Sequence, residues 1–523
     1  MSVEEWQLSA EQRADTIARI KASMATMYFF QNGNDAQNQD LGAMAAMIEK
    51  KAYTVAQVEA KTTTGVRPHH ETLKAYVRKL SSLVLEAVSG KLELQSTQQG
   101  DAMDVDSIDL TGSREFLTTE TAEEALAPML QDGASVSRIK FSTKSFGIDA
   151  AHVAARAIRN VSSTLKHADL SDIIAGRPEE EALKALEIIS EALAEAELDS
   201  LDLSDNALGE KGIRACAAVI QKQKNLKHIA FQNVGCSEFG CAAVNELLVH
   251  CGNLRSIHLL NNMSGDSGAM SIAKIIERCP LLEDFKMASS RVGEEGGKAI
   301  ADALAVCGHA MVRIDLHDNP LTDESAESLA KAIKSHPCLK ALNLNDIAME
   351  DPGIQIIAES LCAVSKTIEH LELELNSITV EAARDLAAAI HQMENLKVLN
   401  VKENELEDDG ALEIAKSLLG LKKLEVVDMR TNQIGRGGAV ALAKACVTIP
   451  SVKELLLDDN EISEAGVDAL VEVLKKGKKE DILGSLEDNL ADEDDEGGSN
   501  EEGHETLDKA VDDIVAALQS EHL

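Results

Sequence analysis

Leu198-Asp-Ser-Leu-Asp-Leu-Ser-Asp-Asn206 is the clearest copy of a nine-residue pattern, Leu-x-x-Leu-x-Leu-x-x-Asn, that recurs along this 523-residue chain. Aliphatic and polar residues alternate within it, which is typical of a short strand with one buried face. Further clear copies occupy residues 254–262, 311–319, 368–376, 396–404, 424–432 and 452–460, and weaker copies end at Val234, Ser290 and Ile347.

The last position of each copy, called here the closing position, recurs at a nearly constant spacing. From Asn206 to Asn460, successive closing positions are 28 or 29 residues apart. Two degenerate copies end upstream at Lys144 and Ile173, and a longer gap of 33 residues separates Ile173 from Asn206. Such a series indicates a repeat architecture of about twelve units. The units match leucine-rich repeats.

Each repeat is predicted to contain one strand and one helix. From Asn206 onward, a small residue, usually Gly, follows each closing position by six places, where it lets the next helix pack closely. We therefore predict an α/β solenoid like the ribonuclease-inhibitor crescent, with parallel strands on the concave face and helices on the convex face. The closing Asn is expected to turn inward and hydrogen-bond the backbone of the neighbouring turn.

The sequence divides into four segments. Residues 1–90 lack the repeat and are predicted to be helical, and residues 91–116 are polar and predicted to be a linker. The repeats are assigned to residues 117–484. Residues 485–523 form an acidic tail, in which residues 506–518 could form one amphipathic helix.

Composition narrows the class of function. The formal net charge is -38, which disfavours nucleic acid and anionic membranes as partners and favours a basic protein. No apolar run approaches the roughly 18 residues of a membrane span. The nine cysteines form no metal-type pair, which indicates buried thiols in a reducing compartment.

Motifs for chemistry are missing from the sequence. It contains no phosphate-binding Gly-x-x-x-x-Gly-Lys loop and no Gly-x-Ser-x-Gly elbow. The pair His69-His70 has no neighbouring ligand set and is interpreted as a surface pair. We expect no metal, no cofactor and no active site of the chain's own, and a binding function along the repeats.

The residue immediately before each closing position is mostly acidic or an amide. It should point to one edge of the solenoid, because the chain leaves the strand there. At Val234 the closing Asn is lost, yet Asn233 remains beside it, so Asn233 is a better candidate for contact than for structure. From Asn206 onward the series is Asp205, Asn233, Asn261, Ser289, Asp318, Asp346, Leu375, Glu403, Thr431 and Asp459.

The chain resembles the GTPase-activating proteins of the small nuclear-transport GTPase Ran, in their plant and green-algal form. The resemblance rests on residues 203–214, 261–266 and 279–285, on the insertion at residues 172–179 and on the acidic tail. Residues 48–56 and 75–86 are similar to the plant WPP domain. The signature Trp-Pro-Pro of that domain is replaced here by Trp6-Gln7-Leu8.

The resemblance implies a mechanism. Such an activator docks the edge of its repeats on GTP-bound Ran without inserting an arginine finger. An asparagine, which falls on Asn233, contacts the switch region and helps to orient Ran's own catalytic glutamine. The resemblance also implies a partner-binding or supporting role for Arg177 and partner-binding roles for Asn206 and Asp318, although Asn206 could equally be a structural member of the asparagine series.

The resemblance further implies a place in nucleocytoplasmic transport and a location in the cytoplasm. In plants the WPP domain binds coiled-coil partners at the nuclear envelope, so residues 1–90 are expected to act as the anchor, subject to the loss of both prolines. Two alternatives remain open from the residues alone. One is a non-catalytic binder or inhibitor of a basic protein, and the weaker one is an immune-receptor-type sensor.

Overall fold

In a computed structural model the chain forms two units, residues Met1–Asp104 and Val105–Leu523. The structure describes residues 106–489, residues 41–62 and single positions at 13, 16, 17, 19–21, 24, 76, 79, 80, 83 and 84. The Trp6-Gln7-Leu8 variant and the helix predicted at residues 506–518 lie outside the described residues, so targeting by the first unit stays a prediction. Within the described residues, no helix is long and apolar enough to cross a membrane.

The first unit contains the helix Leu41–Thr62, whose buried face includes Met44, Ile48 and Ala52. Glu49 lies on the same face and is 1% exposed. Arg13 donates two hydrogen bonds to its carboxylate, at 2.7 and 2.6 Å. A paired guanidinium is what allows a carboxylate to be buried at this depth.

The second unit is a leucine-rich-repeat solenoid, which confirms the predicted fold class. Its strands are β1 (Ser107–Asp109), β2 (Glu115–Leu117), β3 (Arg138–Lys140), β4 (Lys144–Phe146), β5 (His167–Asp169), β6 (Ser200–Asp202), β7 (His228–Gln232), β8 (Ser256–Leu260), β9 (Asp284–Ala288), β10 (Arg313–Asp315), β11 (Ala341–Asn343), β12 (His370–Glu372), β13 (Val398–Asn400), β14 (Val426–Asp428) and β15 (Glu454–Leu456). Thirteen of them form one parallel sheet in chain order, and β2 pairs with β4 in a second, two-stranded sheet.

Helices follow the strands and pack against one another in sequence. The α-helices of this unit are Thr119–Ala125, Ala127–Leu130, Ile148–Val161, Glu179–Leu193, Gly209–Ala215, Ala217–Lys222, Glu238–Leu247, Gly265–Ile276, Glu294–Val306, Ala326–Ser335, Asp351–Leu361, Val380–Ile390, Glu407–Leu418, Arg436–Thr448 and Glu464–Gly477, with short 3₁₀ turns at Asp323–Ser325 and Glu480–Ile482. The aliphatic core lies between the helices and the sheet.

The solenoid extends beyond both ends of the assigned 117–484 range. Strand β1 pairs in register with β3, so residues 107–109 of the predicted linker belong to the sheet. Ile108 and Leu110 repeat the apolar alternation, but the unit closes on Ser113 rather than Asn. At the other end, Asn489 accepts a hydrogen bond from Ile462 N at 3.1 Å and donates one to Ile462 O at 2.6 Å. The first residues of the predicted tail therefore belong to the last turn.

The closing asparagines form the expected ladder. Asn319 is 1% exposed, and its Oδ1 accepts hydrogen bonds from Ser290 N at 3.1 Å and Val292 N at 3.0 Å, both in the preceding repeat. Its Nδ2 donates to Met287 O and Leu316 O at 2.8 and 2.9 Å. One side chain thus forms hydrogen bonds with buried backbone groups of two successive turns. Left without partners, these groups would destabilise the fold.

Between Asn206 and Asn432, the turn after a closing position takes one of two forms. Where Oδ1 of the next closing Asn accepts hydrogen bonds from the turn, the residue after the closing position is left-handed, as at Gly235 (φ 66°) and Arg291 (φ 57°). Where the next closing residue supplies only its backbone carbonyl, the third residue is left-handed instead. Gly265 (φ 57°), which donates to Ser290 O at 3.1 Å, is an example of this second form.

Helix packing explains the small residue in each repeat. A Cβ atom at Gly296 would lie 2.9 Å from the Cβ of Ala269 in the preceding helix, closer than such atoms approach. Several helix starts are also capped by an Asp of the preceding repeat, an interaction that the repeat pattern did not predict. Asp266 Oδ1, for example, accepts hydrogen bonds from Gly293 N at 2.7 Å and Gly296 N at 3.0 Å.

Replacing a ladder asparagine should destabilise the whole array. Asn319→Ala leaves four buried backbone groups without a partner, so we expect the free energy of unfolding to fall by about 3 kcal/mol or more in urea denaturation. Asp346→Asn changes an exposed residue that precedes the closing position of the next repeat. It should alter the free energy of unfolding by less than about 0.5 kcal/mol. Equal effects of the two substitutions would show that the ladder does not carry this stability.

Candidate functional site

The residues that precede the closing positions share one backbone conformation. All ten from Asp205 to Asp459 are left-handed, with φ between 46° and 57°. Asn and Asp tolerate this conformation best among non-glycine residues, so part of their enrichment here is a backbone requirement. We call these ten residues the exit edge, because the chain leaves the strand at each of them. Their backbone role means that residue type alone does not identify a contact residue.

Asn233 is distinguished on the exit edge by its side-chain hydrogen bonds. It follows strand β7 and is exposed, while its backbone N–H is held by Leu260 O at 2.6 Å. Its Nδ2 donates to Asp205 Oδ1 at 3.1 Å, and its Oδ1 accepts from Asn261 Nδ2 at 3.0 Å. The amide is therefore exposed and held in one orientation.

A surface groove, called here the Asn233 groove, lies beside this amide. It brings together residues from four successive repeats, including two of the predicted site residues, Asn233 and Asp318. Asp318 is exposed, and its carboxylate accepts no hydrogen bond from the part of the chain that the structure describes. The lining residues are Asn233, Gly235, Asn261, Asn262, Met263, Ser289, Arg291, Asp318 and Pro320.

The groove offers three kinds of contact. Met263 is 55% exposed and supplies an apolar surface. Arg291 is exposed and cationic, and Asp318 is exposed and anionic. Sequence reasoning missed Asn261, Met263 and Arg291 as site residues. Asn261 could have been found from its place in the same series as Asn233, whereas Arg291 reaches the groove because of a turn form that depends on Asn319.

Asn206 has a structural position. It is 1% exposed, its Oδ1 accepts from Ile173 N at 2.9 Å and its Nδ2 donates to Leu170 O at 2.8 Å. It holds the turn from which Asp205 emerges. Any effect of Asn206 on a partner would therefore pass through Asp205 and Asn233.

Arg177 does not line the groove. It lies in the insertion before the helix Glu179–Leu193, and its side chain is 15% exposed. Its guanidinium donates to Ser145 Oγ at 3.0 Å and Ser145 O at 2.9 Å, and lies 5.0 Å from the centre of the Phe116 ring. These contacts join the insertion to the two preceding repeats. In this structure Arg177 braces the first repeats.

A bracing role predicts a loss of stability when the guanidinium is removed. A lysine cannot donate to both Ser145 atoms from one planar group, so Arg177→Lys should lower the free energy of unfolding by about 2 kcal/mol. Arg156 is 60% exposed and pairs with Glu123, so Arg156→Lys is the matched control and should change it by less than about 0.5 kcal/mol. An unchanged urea midpoint for Arg177→Lys would contradict the bracing role.

The face of the sheet opposite the helices carries a buried charge network. Lys286 Nζ lies 3.0 Å from Asp315 Oδ2, and His317 Nδ1 lies 2.6 Å from Asp315 Oδ1. Burial alone would raise the pKa of Asp315, but Lys286 and His317 hold that pKa below its usual range. These strands are therefore cross-linked by ion pairs on a face that helices do not cover.

The same face of the sheet also contains a buried carboxyl group, Glu372, whose surroundings disfavour its ionised form. Glu372 is 8% exposed, and its Oε2 accepts a hydrogen bond from Asn400 Nδ2 at 2.7 Å. Burial, with Glu374 and Asp428 nearby, raises the pKa of Glu372 to about 7. Because the folded state binds this proton more tightly than the unfolded state, ionising Glu372 destabilises the fold.

The sign of this effect fixes a pH dependence. The stability associated with neutral Glu372 is complete below a pH of about 4.3, the ordinary Glu value, and is lost as the pH rises through about 7. Glu372→Gln should therefore stabilise the protein at pH 8 by about 3 kcal/mol, with no gain near pH 4. Glu359→Gln, at an 80% exposed carboxylate, is the control. A gain independent of pH, measured by urea denaturation, would contradict the assignment.

Comparisons with known proteins agree with the architecture. The leucine rich repeat family matches residues 392–415 and 420–443. RAN GTPase-activating protein 2 of Arabidopsis thaliana is 38% identical over 237 residues, which are 44% of this chain and 43% of that protein. RAN GTPase-activating protein 1 of the same plant is 36% identical over 238 residues, with the same shares.

A vertebrate relative matches a shorter stretch. Ran GTPase-activating protein 1 of Xenopus laevis is 28% identical over 138 residues, which are 26% of this chain and 23% of that protein. The chain thus spans less than half the length of the curated relatives it matches. The protein is a leucine-rich-repeat solenoid with curated relatives among the plant RAN GTPase-activating proteins.

Proposed function

We propose that this protein stimulates GTP hydrolysis by the small GTPase Ran and has no active site of its own. The observation that carries the proposal is the exposed, hydrogen-bonded amide of Asn233 beside a groove that also contains Asp318. The similarity to proteins named RAN GTPase-activating proteins supports the choice of GTPase. Stimulated hydrolysis by Ran would place the protein in nucleocytoplasmic transport.

The chemistry of the groove fits an activator better than an enzyme. Among the described residues, no cluster of His, Cys, Asp or Glu could hold a metal ion. In the proposed complex Ran supplies the nucleotide, its metal ion and the glutamine that positions the attacking water. Asn233 contributes a neutral amide that both donates and accepts hydrogen bonds, so it can hold the glutamine side chain in the productive orientation.

Docking would use the acidic members of the exit edge in and next to the Asn233 groove. Asp318 and Asp346 are exposed and lie at the same register position of two successive repeats. A basic surface on the partner would be attracted to this row and to the net charge of -38. Such attraction accelerates encounter and weakens with salt, whereas the step at Asn233 depends on short-range geometry.

The test is a single-turnover assay of Ran–GTP hydrolysis with the full chain. We expect the wild-type protein to accelerate hydrolysis and Asn233→Ala to reduce that acceleration by about 100-fold or more, because an interaction made in the transition state is lost. Alanine in a left-handed turn costs about 1 kcal/mol. Asp459→Ala, at a residue with φ 55°, should lose the same stability and keep full activity.

Arg291 provides the control for mechanism. It is the exposed arginine of the groove, and an arginine finger would be worth about 10³-fold or more. Under the proposal, Arg291→Ala lowers the maximal rate by less than about tenfold. Loss of acceleration in Arg291→Ala but not in Asn233→Ala would overturn the mechanism. If wild type binds Ran–GTP and does not accelerate hydrolysis, the protein is a non-catalytic binder.

A further inference from the structure

We infer that Asp205 and Asn261 are positioning residues that fix the side chain of Asn233 for the reaction. This inference rests on the proposed function. The three residues occupy the same register position in three successive repeats, and all three are exposed and left-handed, with φ of 56°, 52° and 52°. Their side chains are joined in a row by the bonds from Asn233 to Asp205 and from Asn261 to Asn233.

The carboxylate of Asp205 determines the direction of this row. An ionised carboxylate only accepts hydrogen bonds, so the Asn233 atom that faces it must be Nδ2. The opposite amide atom, Oδ1, then faces Asn261, which must present its own Nδ2. The orientation of both amides therefore follows from a single charge at one end of the row, and neither amide can flip without breaking a bond to Asp205 or Asn233.

Fixing the amide has a direct consequence for catalysis. With both bonds formed, the Asn233 amide keeps one N–H and one oxygen lone pair that are available to a partner. An exposed asparagine without these bonds would sample several rotamers and both amide orientations, and a reaction complex would have to order it. Asp205 and Asn261 remove that cost in advance, so their effect should fall on the rate of the bound complex and much less on its affinity.

The rest of the exit edge shows that such a row is not a general property of the fold. Among the described exit-edge residues, Thr431 and Asp459 form the other side-chain pair, in which Thr431 Oγ1 donates to Asp459 Oδ2 at 2.9 Å. That pair has the same register and the same backbone conformation. Unlike the row through Asn233, it has only two residues, so no asparagine is held between two partners. It therefore offers a matched control for substitutions at Asp205.

The experiment measures single-turnover hydrolysis of Ran–GTP against the concentration of the full chain. Asp205→Ala and Asn261→Ala should each lower the maximal rate by about tenfold, with the half-saturating concentration nearly unchanged. Asp459→Ala removes the equivalent bond elsewhere and should leave both quantities unchanged. Asp205→Asn, which keeps an acceptor oxygen, should recover most of the rate.

A double-mutant cycle separates positioning from direct contact. If Asp205 acts through Asn233, then adding Asp205→Ala to Asn233→Ala should cause no further loss of rate. Multiplication of the two losses would show that Asp205 contacts the partner itself and would overturn the inference.

The two proposals fail in different ways. A wild-type chain that gives no acceleration removes the proposed function, and this inference with it. A wild-type chain that accelerates hydrolysis, together with an Asp205→Ala variant that behaves like Asp459→Ala, overturns the positioning role alone.

Discussion

The buried asparagine at the closing position is the interaction on which the rest of the solenoid depends. At Asn262, Asn319, Asn376, Asn404 and Asn460 the side-chain oxygen accepts two backbone N–H groups of the preceding turn. The side-chain Nδ2 of Asn376, for example, donates to carbonyls of both turns, at Leu344 and Leu373. Each repeat is therefore completed by the next one. Stability in such an array comes from neighbour contacts, so the ends need a different closure.

The candidate site is a local consequence of this ladder. Val234 cannot supply an amide, yet its own turn is held by Asn262, whose Oδ1 accepts from Val234 N at 3.3 Å and Cys236 N at 3.0 Å. The turns at Gly235 and Arg291 therefore share the asparagine-held form, while the turn between them takes the other form at Gly265. In the repeats that contribute to the Asn233 groove, a turn held by a backbone carbonyl therefore lies between two turns held by asparagine side chains. The irregular closing residue Ser290 therefore changes the surface turn of the preceding repeat, at Gly265, without breaking the fold.

Much of this could be predicted from sequence, because the period of the pattern carries it. The strands, the inward asparagines and the small residue before each helix follow from alternation and spacing. The choice between turn forms could not be predicted from the next closing residue alone, since Asn432 has a side-chain oxygen and yet holds the turn before it by its backbone carbonyl, through Glu407 N at 3.0 Å. The row through Asn233 was equally hidden, because it depends on side-chain geometry between repeats. Arg177, for which a docking or supporting role was expected, contacts Ser145 and Phe116 and does not line the Asn233 groove.

The placement of charge around Asn233 fits a partner that carries a nucleotide. Acidic residues along the exit edge attract a basic protein surface over a distance, but a carboxylate pressed against a triphosphate would repel it. At Asn233 the chain presents a neutral amide, and the carboxylate of Asp205 is already bonded to that amide. In the proposed complex, the charge that attracts the partner and the group that meets its reactive centre would thus be on different residues. A rigid ladder makes that separation possible, because it holds each exit-edge residue at a fixed register.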